Sequence, residues 1–446
     1  MKLTVRASEP AFARVLGRLR RRGATADASV EPTVRAILDD VRKRGDRAVA
    51  DATLRFDRVK LKASERTIER EAMRAACDLL SRSELHALRV AARRIRDFHE
   101  HQKERSFRYR DSLGVTLGQE IRPLRRVGLY VPGGQAFYPS SVLMNALPAR
   151  VAGVEEIVAV SPPHADGEPP ALLAAAYIAG VDRIHRVGGA QAVGALAYGT
   201  ATIERVDKIV GPGNIYVATA KRLVSGVVGI DMIAGPSEVL IVADAEADPE
   251  LIAADMLAQA EHDADASSIL VTPSARLAAA VERALDEQLA ELPRATTAAK
   301  ALRANGAILV VKNVAEAVEI ANELAPEHLE LALEDAQKWI PRIQHAGAIF
   351  VGESTPEAFG DYLAGPNHVL PTGGTARFSS PLGVYDFVKR TSVIMAPPRA
   401  LERLGEPVLR LAEMEGLQAH GAAVARRLRR SGRPAARRSR TRPVAR

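Results

Sequence analysis

The sequence predicts an α/β fold with two parallel sheets, because two separate stretches alternate between strand-like and helix-like segments. After Arg126, short apolar runs end in Gly or Pro and lead into helical segments, as in RVGLYVPGG, EEIVAVSPP and VDKIVGPGN. A second series starts near Glu238 and contains VLIVAD, SSILVT, GAILVV and AGAIFV. Alternation of strand, turn and helix at this spacing is typical of parallel sheets with crossover helices. Each series therefore predicts one α/β domain.

The other elements follow from periodicity and length. Residues 25–105 are rich in Arg and Ala with apolar positions three and four apart, which predicts a helical layer. Between the strands of the second series we expect helices at 249–261, 275–291 and 314–324. Residues 383–425 are mostly helical in pattern but too few to bury a core of their own. That module must therefore dock on the body of the protein or on another subunit.

The composition supports two packed cores and excludes a wholly disordered chain. The protein has 446 residues, of which 47% are hydrophobic and only 4% aromatic, so we expect cores of Ala, Val, Leu and Ile. No run of about 18 apolar residues and no signal-peptide pattern is present, which predicts a soluble, cytoplasmic protein without a membrane partner. The single cysteine, Cys77, cannot form an intrachain disulfide, and we interpret it as a small apolar residue.

The net charge of +8 comes from the C-terminal tail. Residues 426–446 contain ten arginines and no acidic residue, while the rest of the chain carries 52 basic and 54 acidic residues. We expect this tail to be disordered. Because the tail has no aromatic residues for base stacking, any contact with nucleic acid would be nonspecific. A solvated extension without function is the favoured interpretation. No specific nucleic-acid partner is expected.

Glycine-rich strand ends form the first candidate site. Gly211-Pro212-Gly213 follows a strand-like run and precedes a helix, where backbone N–H groups could face an anion. Tyr216 replaces the third glycine of the dinucleotide fingerprint, and the acidic Asp231 about twenty residues later could be coincidence. The segment is either a nucleotide site or a tight strand-to-helix turn. Gly133-Gly134 and Gly188-Gly189 end two further strands and favour a ligand at this edge.

Two short segments could carry metal or acid–base chemistry. Gln259 and His262 are three residues apart in a helical pattern and could share a ligand, although a histidine at a helix end is more often a surface residue. Further metal ligands would have to come from remote residues, for which the candidates are Asp361, His368 and His420. Glu327-His328 offers two adjacent bases, or else a capping pair at a helix-to-strand junction.

The chain also resembles the histidinol dehydrogenase family from about residue 25 to 425. The resemblance rests on MNALPARVAGV, GGAQAVGALAYGT, DMIAGPSEVLIVAD, AQAEHD, LAPEHLEL, GDYLAGPNHVLPTGGTARFSSPLGVYDF and AEMEGLQAHGAAV, in this order. It implies two incomplete Rossmann-like domains of aldehyde-dehydrogenase-like type, with small terminal segments exchanged in a homodimer. The implied boundaries are an N-terminal arm 1–24, a first α/β domain 25–129 with 238–382, a second, NAD-binding domain 130–237, a C-terminal module 383–425 and the tail 426–446.

The resemblance further implies the oxidation of L-histidinol through L-histidinal to L-histidine, with two NAD and one zinc per site. Glu327 and His328 would be the catalytic bases. The other implied residues are the zinc ligands Gln259, His262, Asp361 and His420, the last from the partner subunit; the substrate contacts Ser237 and Glu415, joined by His328 and the zinc ligands; and the NAD contacts Tyr130, Gln191 and Asn214. A related enzyme for another small alcohol is the alternative, which the presence of both Glu415 and His420 disfavours.

Overall fold

The computed structural model describes residues 2–22, 29–133 and 138–431. The strands are β1 Thr4–Arg6, β2 Thr67–Glu69, β3 Phe107–Arg110, β4 Thr116–Pro123, β5 Arg126–Tyr130, β6 Glu156–Ser161, β7 Arg183–Arg186, β8 Lys208–Val210, β9 Gly229–Ile230, β10 Glu238–Ala243, β11 Ser267–Thr272, β12 Ala307–Val310, β13 His328–Ala332, β14 Ala348–Val351 and β15 Val388–Met395.

The α-helices alternate with most of these strands. They are α1 Pro10–Arg20, α2 Glu31–Arg44, α3 Asp46–Phe56, α4 Arg70–Ala76, α5 Arg82–Glu100, α6 Pro139–Ala152, α7 Pro170–Ala179, α8 Gly189–Tyr198, α9 Ile215–Val224, α10 Pro249–Ala260, α11 Ala275–Leu289, α12 Ala295–Asn305, α13 Val314–Leu324, α14 Glu357–Tyr362, α15 Pro398–Met414 and α16 Gln418–Ser431. The three helices expected after Glu238 correspond to α10, α11 and α13.

The prediction of two parallel sheets is confirmed. The first sheet has the order β1-β12-β11-β10-β13-β14 and is parallel throughout. The second sheet has the order β2-β7-β6-β5-β8-β9 and is parallel except for the edge pair of β2 with β7. In each sheet the strand order reverses between two central strands, β10 and β13 in the first sheet and β5 and β8 in the second.

The sequence-based division of the chain was wrong for 25–129, which was expected beside the first sheet. Leu38 and Val41 of α2 instead pack against Gly194 of α8, and Ile95 of α5 joins the core under β5 to β7. Helices α2, α3, α8 and α9 cover one face of the second sheet, and α4 to α7 cover the other. A parallel sheet needs apolar cover on both faces, and these helices complete it.

The N-terminal arm 1–24 contributes directly to the first sheet. Strand β1 pairs in parallel with β12, with Thr4 opposite Ile308. Leu16 and Leu19 of α1 are buried against the face of the first sheet that also carries α13. Residues 23–28, which include the end of the predicted arm, lie outside the described residues.

A second compact unit consists of residues 104–122 and 389–431 within the described chain. It contains a three-stranded sheet in the order β15-β4-β3 and the packed helices α15 and α16. This unit differs from the expected module 383–425: its C-terminal part begins at 389, a hairpin from 104–122 joins it, and α16 continues to Ser431. The tail expected to be disordered from 426 is helical through Ser431, and 432–446 lie outside the described residues. None of the described helices combines the length and apolarity needed to span a membrane.

Candidate functional site

One strand of the first sheet and two helices beside it bring a row of polar side chains together in the interior. His328 and Glu330, two residues apart, lie on the same face of β13. Asp255 and Gln259 are four apart on α10, and Glu357 and Asp361 are four apart on α14, so each pair lies on one helical face. The row is inward-facing, because His328, Glu330 and Glu357 are 5% exposed or less and Gln259 is fully buried. These periodicities explain how residues remote in sequence meet in one place.

His328 is a neutral base with one free nitrogen. Its Nδ1 lies 3.0 Å from the backbone carbonyl of Glu238. Since a carbonyl oxygen only accepts, Nδ1 carries the ring proton and the lone pair lies on Nε2. Among the described residues Nε2 has no hydrogen-bond partner. Burial lowers the pKa of His328 to about 3, so the imidazole stays neutral over the working pH range.

Glu327 is held in place by Glu238, the first residue of the neighbouring strand. The Glu238 backbone N–H donates to Glu327 Oε2 at 2.9 Å, and the Glu327 N–H donates to Glu238 Oε1 at 3.3 Å. Burial, together with the charge of Glu238, raises the pKa of Glu327 well above its ordinary value. Glu327-His328 is therefore not the capping pair of a helix-to-strand junction, which was the alternative interpretation. The Glu327 side chain instead accepts a hydrogen bond from β10.

The acidic residues of the row are desolvated together. Burial raises the pKa of Asp255 and of Asp361 to about 6, that of Glu330 to about 8 and that of Glu357 well above its ordinary value. Neighbouring carboxylates add to the shifts of Glu330 and Glu357. Such a cluster favours a bound cation, because a cation stabilises the ionised carboxylates.

Three side chains at the end of this row could hold a metal ion. Ligand atoms of His262, Glu357 and Asp361 all lie within 4.8 Å of one another. Gln259 reaches the same place, because its amide nitrogen, suitably oriented, donates to Glu357 Oε1 at 2.6 Å and Oε2 at 3.1 Å. In that orientation Gln259 is hydrogen-bonded to one of the three candidate ligands. A mixture of one imidazole nitrogen and several oxygens suits zinc, manganese or cobalt.

His368, the other remote candidate, lies next to this group and next to the second sheet. Its Nδ1 is 3.9 Å from Asp361, and its Nε2 is 3.5 Å from the hydroxyl of Ser141 in the first turn of α6. Burial lowers the pKa of His368 to about 4. Ser237 directly precedes β10, half-buried, and its carbonyl accepts from the N–H of Ser267. The candidate ligands His262, Glu357 and Asp361 therefore lie close to the second sheet, which carries the glycine-rich turns.

The carboxyl edge of the second sheet forms the other half of the candidate site. Tyr130 ends β5, is 4% exposed, and its hydroxyl accepts from the N–H of Gly189 at 2.9 Å. Burial raises the pKa of Tyr130 to about 12. Gln191 is buried in the first turn of α8, and its Nε2 has no partner among the described residues. A ligand that accepts a hydrogen bond would satisfy this amide.

The Gly211 turn at the end of β8 is fixed from both sides. Gly211 has a φ of +110°, and a Cβ there would collide with the carbonyl of Tyr130, so only glycine fits. The Gly211 N–H donates to Asp231 Oδ2 at 2.7 Å, and its carbonyl accepts from Lys221 Nζ at 2.9 Å. Lys221 and Asp231 are themselves a buried ion pair. Asp231 is thus a support for the turn and not a ribose ligand, and Asn214 is the N-cap of α9, accepting from Tyr216 and Val217.

Comparison with known proteins decides between the families that this geometry allows. A family model described as histidinol dehydrogenase matches residues 20–428. The histidinol dehydrogenase of Syntrophotalea carbinolica is 55% identical, over 94% of this chain and 97% of its own. The chain belongs to the histidinol dehydrogenase family. The crystal structure of histidinol dehydrogenase from Elizabethkingia anophelis is 36% identical with a TM-score of 0.90, and the match covers 97% of this chain and 99% of that chain.

A second relative agrees: the histidinol dehydrogenase of Rhizobium meliloti is 56% identical over 90% of this chain and 92% of its own. The resemblance inferred from the sequence is thereby confirmed.

Two of the residues expected for a histidinol dehydrogenase site lie in the second unit. Glu415 follows α15 and His420 lies in the first turn of α16, and both are exposed.

Several polar residues of the site were missed from the sequence. Glu238, Glu330 and Glu357 are each buried and each hydrogen-bonded to another residue of the site. A signal for Glu357 was available, because it precedes Asp361 by four residues. The signal for Glu330 was its position two residues after His328 on a strand.

Proposed function

We propose that this protein is an oxidoreductase of histidine biosynthesis that converts L-histidinol through L-histidinal to L-histidine with NAD as the hydride acceptor. The observation that carries the proposal is the neutral His328, whose unpartnered Nε2 faces the Asp361 carboxylate at 3.9 Å in a chain of this family. Alcohol to carboxylate is a four-electron change, so two hydrides must leave and a water molecule must enter between them. The cofactor accepts the hydrides, and the protein supplies orientation and bases.

His328 serves the first oxidation. Its free Nε2 accepts the proton of the substrate hydroxyl as the hydride leaves the carbon. The Nδ1–H bond to Glu238 keeps the ring in the tautomer that this step requires. Because its pKa is about 3, the imidazole is available over the whole working range of pH, although it is a weaker base than an ordinary histidine.

Glu327 serves the second oxidation. Its carboxylate orients and deprotonates the water that adds to the aldehyde, and the hydride then leaves the hydrate. Burial raises the pKa of Glu327, so this step needs the carboxyl to lose its proton and should speed up as the pH rises. The aldehyde stays bound between the two steps, since release would expose a reactive carbonyl to water.

One zinc per site fits the donor set of the first sheet. Gln259, His262 and Asp361 would hold it, completed by His420 of the partner subunit, with Glu357 close enough to join them. When bound, the ion anchors the substrate through its imidazole and amino group and withdraws charge from them. Ser237 and Glu415 would complete the substrate contacts.

NAD would lie at the carboxyl edge of the second sheet, the edge where ligands bind in doubly wound α/β folds. Tyr130, Gln191 and Asn214 would contact it. The unpartnered buried Nε2 of Gln191 and the narrow turn at Gly211 support this placement. The proposal also includes a fold related to that of the aldehyde dehydrogenases. It further includes a cytoplasmic location for the protein.

A homodimer would complete the site, because His420 lies in the second compact unit. Helix α15 buries only the small residues Ala400, Gly405 and Ala412, whereas Leu404, Val408, Leu411 and Met414 are exposed. Exposed apolar side chains at helical spacing are typical of an interface, and a second copy of the chain is the partner that the family implies.

The first test is the stoichiometry of NADH formation from limiting L-histidinol, before and after chelation of metals and with zinc added back. We expect two NADH per histidinol, loss of activity on chelation and recovery with zinc. A folded, zinc-loaded dimer that forms no NADH would instead indicate a relative that oxidises another small alcohol.

The shared site is tested by His420→Ala. We expect a folded dimer that retains less zinc after dialysis, because one of the proposed ligands is missing. Metal content equal to that of the wild type would refute the assignment of His420.

A further inference from the structure

Arg22, which follows α1, has a nearly buried guanidinium that contacts Glu238 at the start of β10. Its side chain is only 14% exposed. Nη1 donates to the carbonyl of Leu19 at 2.9 Å, and Nη2 donates to the carbonyl of Leu324 at 2.8 Å. Nε forms an ion pair and hydrogen bond with Glu238 Oε2. All three donor groups of the planar head therefore have acceptors, which fixes its orientation.

Glu238 transmits this fixed orientation to the bases. Its other carboxylate oxygen, Oε1, accepts from the N–H of Gly373 at 3.0 Å and of Glu327 at 3.3 Å. Its own N–H holds Glu327 Oε2, and its carbonyl holds His328 Nδ1. One residue at the start of β10 thus contacts both bases, and Arg22 is its charged partner.

Charge makes this partner necessary. The side chain of Glu238 is 4% exposed, and a buried carboxylate without a cation is strongly disfavoured. If Arg22 were lost, Glu238 would have to take up a proton or turn toward water. Either change weakens the acceptor on which the Glu327 backbone depends.

We propose that Arg22 is a positioning residue for Glu327 and His328: by fixing the Glu238 carboxylate it holds both bases in their working orientation. The inference rests on the proposed function, since that function makes these two residues the bases. It gives the N-terminal arm a part in the reaction without any contact between Arg22 and the substrate.

Arg18 provides a matched control for a simpler role. It lies on α1, four residues before Arg22, and donates to the backbone carbonyls of Ala304 and Gly306, the latter at 3.2 Å. No hydrogen bond or ion pair joins it to Glu238, Glu327 or His328 within the described chain. If Arg22 only anchors α1 to the first sheet, substitution of Arg18 and of Arg22 should have similar effects.

The kinetic experiment compares Arg22→Met, Arg22→Lys and Arg18→Met in the zinc-loaded protein. We expect Arg22→Met to lower kcat about 100-fold with KM for histidinol changed less than about 3-fold, because misplaced bases affect the reaction more than binding. Arg22→Lys, which keeps the charge, should recover about 10-fold, and Arg18→Met should stay within about 3-fold of the wild type. Equal losses in Arg18→Met and Arg22→Met, or no recovery with lysine, would overturn the proposal.

A second measurement does not depend on turnover. Amide hydrogen exchange of a peptide spanning 325–330 reports on the Glu327 N–H, whose acceptor is Glu238 Oε1. We expect about 10-fold faster exchange in Arg22→Met and wild-type exchange in Arg18→Met. Unchanged exchange in Arg22→Met would overturn the proposal. A wild-type protein that does not oxidise histidinol would refute the proposed function, and the exchange comparison would still decide whether Arg22 positions Glu327.

If Arg22→Met fails to fold, Arg22→Lys decides the question. The lysine keeps one charged donor but loses the planar head, so kcat about 10-fold below the wild type and measurably faster exchange at 325–330 are expected. Wild-type values for both would contradict the positioning role.

Discussion

The two sheets have the same doubly wound topology but present opposite edges to the candidate site. In the second sheet the site residues Tyr130 and Gly211 follow the carboxyl ends of β5 and β8, beside the point where the strand order reverses. In the first sheet Glu238 and His328 are the first residues of β10 and β13, at the amino edge of the corresponding reversal. Ligands in open α/β sheets normally bind at the carboxyl edge. Only the second sheet follows that rule.

The difference lies in what each edge is made of. At the second sheet the edge is formed by glycine turns and backbone groups, with Tyr130 and Gln191 beside them. The first sheet offers side chains, because the crossover helix α10 runs back to the amino edge, where Gln259 lies in its last turn and His262 follows it. Desolvated acids and imidazoles collect at that edge, whereas the turn at Gly211 is held by a single ion pair between Lys221 and Asp231. The glycine turns of the second sheet are therefore suited to ligand binding, whereas the side chains at the amino edge of the first sheet are suited to acid–base chemistry.

The largest effect is expected from His328→Asn. The asparagine amide can still donate to the Glu238 carbonyl but supplies no base in place of Nε2, so we expect kcat to fall about 10²- to 10⁴-fold. Steady-state NADH formation measures it. His185→Asn is the control, because His185 is also a buried imidazole with a hydrogen bond at Nδ1, to Thr67, but lies on β7 of the second sheet. Equal loss in both variants would mean that a buried histidine, and not this position, matters.

The support of the Gly211 turn is tested by Lys221→Met. The substitution leaves Asp231 buried without its cation, which costs about 3–5 kcal/mol of unfolding free energy. We also expect weaker NAD binding, measured by calorimetry on the protein that remains folded. Arg222→Met is the control at the next position: its ion pair with Glu31 is partly exposed and should contribute less than about 1 kcal/mol. Comparable destabilisation by the two variants would contradict a special role for the buried pair.

Glu330→Gln should change how stability depends on pH. The folded-state pKa of Glu330 is raised to about 8 from an ordinary value of 4.5, so its contribution is fully present below about pH 4.5 and is lost as the pH rises through 8. In chelator-treated protein we expect the wild-type Tm to fall between pH 5 and 8. Glutamine cannot ionise, so the variant should be more stable than the wild type at pH 8, by on the order of 2 kcal/mol. Parallel Tm profiles would show that Glu330 does not titrate in this range.

The smallest effect is expected from Tyr130→Phe at the carboxyl edge of the second sheet. The variant removes the acceptor of the Gly189 N–H, and one hydrogen bond is worth about 1 kcal/mol. We expect the Kd for NAD to rise about 3- to 10-fold with kcat nearly unchanged. An unchanged Kd would place the cofactor away from Tyr130.

Much of the fold could be predicted from local pattern. The strand segments after Arg126 and Glu238 and the helices between them were located by apolar runs and turn residues, which are properties of neighbouring positions. The error at 25–129 has a physical reason. An apolar helical face, such as that of Leu38 and Val41, shows that it will be buried but not which sheet will bury it.

The sequence by itself determined the family, the two α/β series and the candidate residues, because motifs such as LAPEHLEL and AQAEHD are read directly from the order of side chains. Only the tertiary structure decided which of them act together. The tautomer of His328, the raised pKa values of the buried acids and the bond between Glu238 and Glu327 depend on distances across strands and on exclusion of water. Residues such as Arg22 and Glu238, 216 positions apart, meet only because α1 packs on the sheet that contains β10.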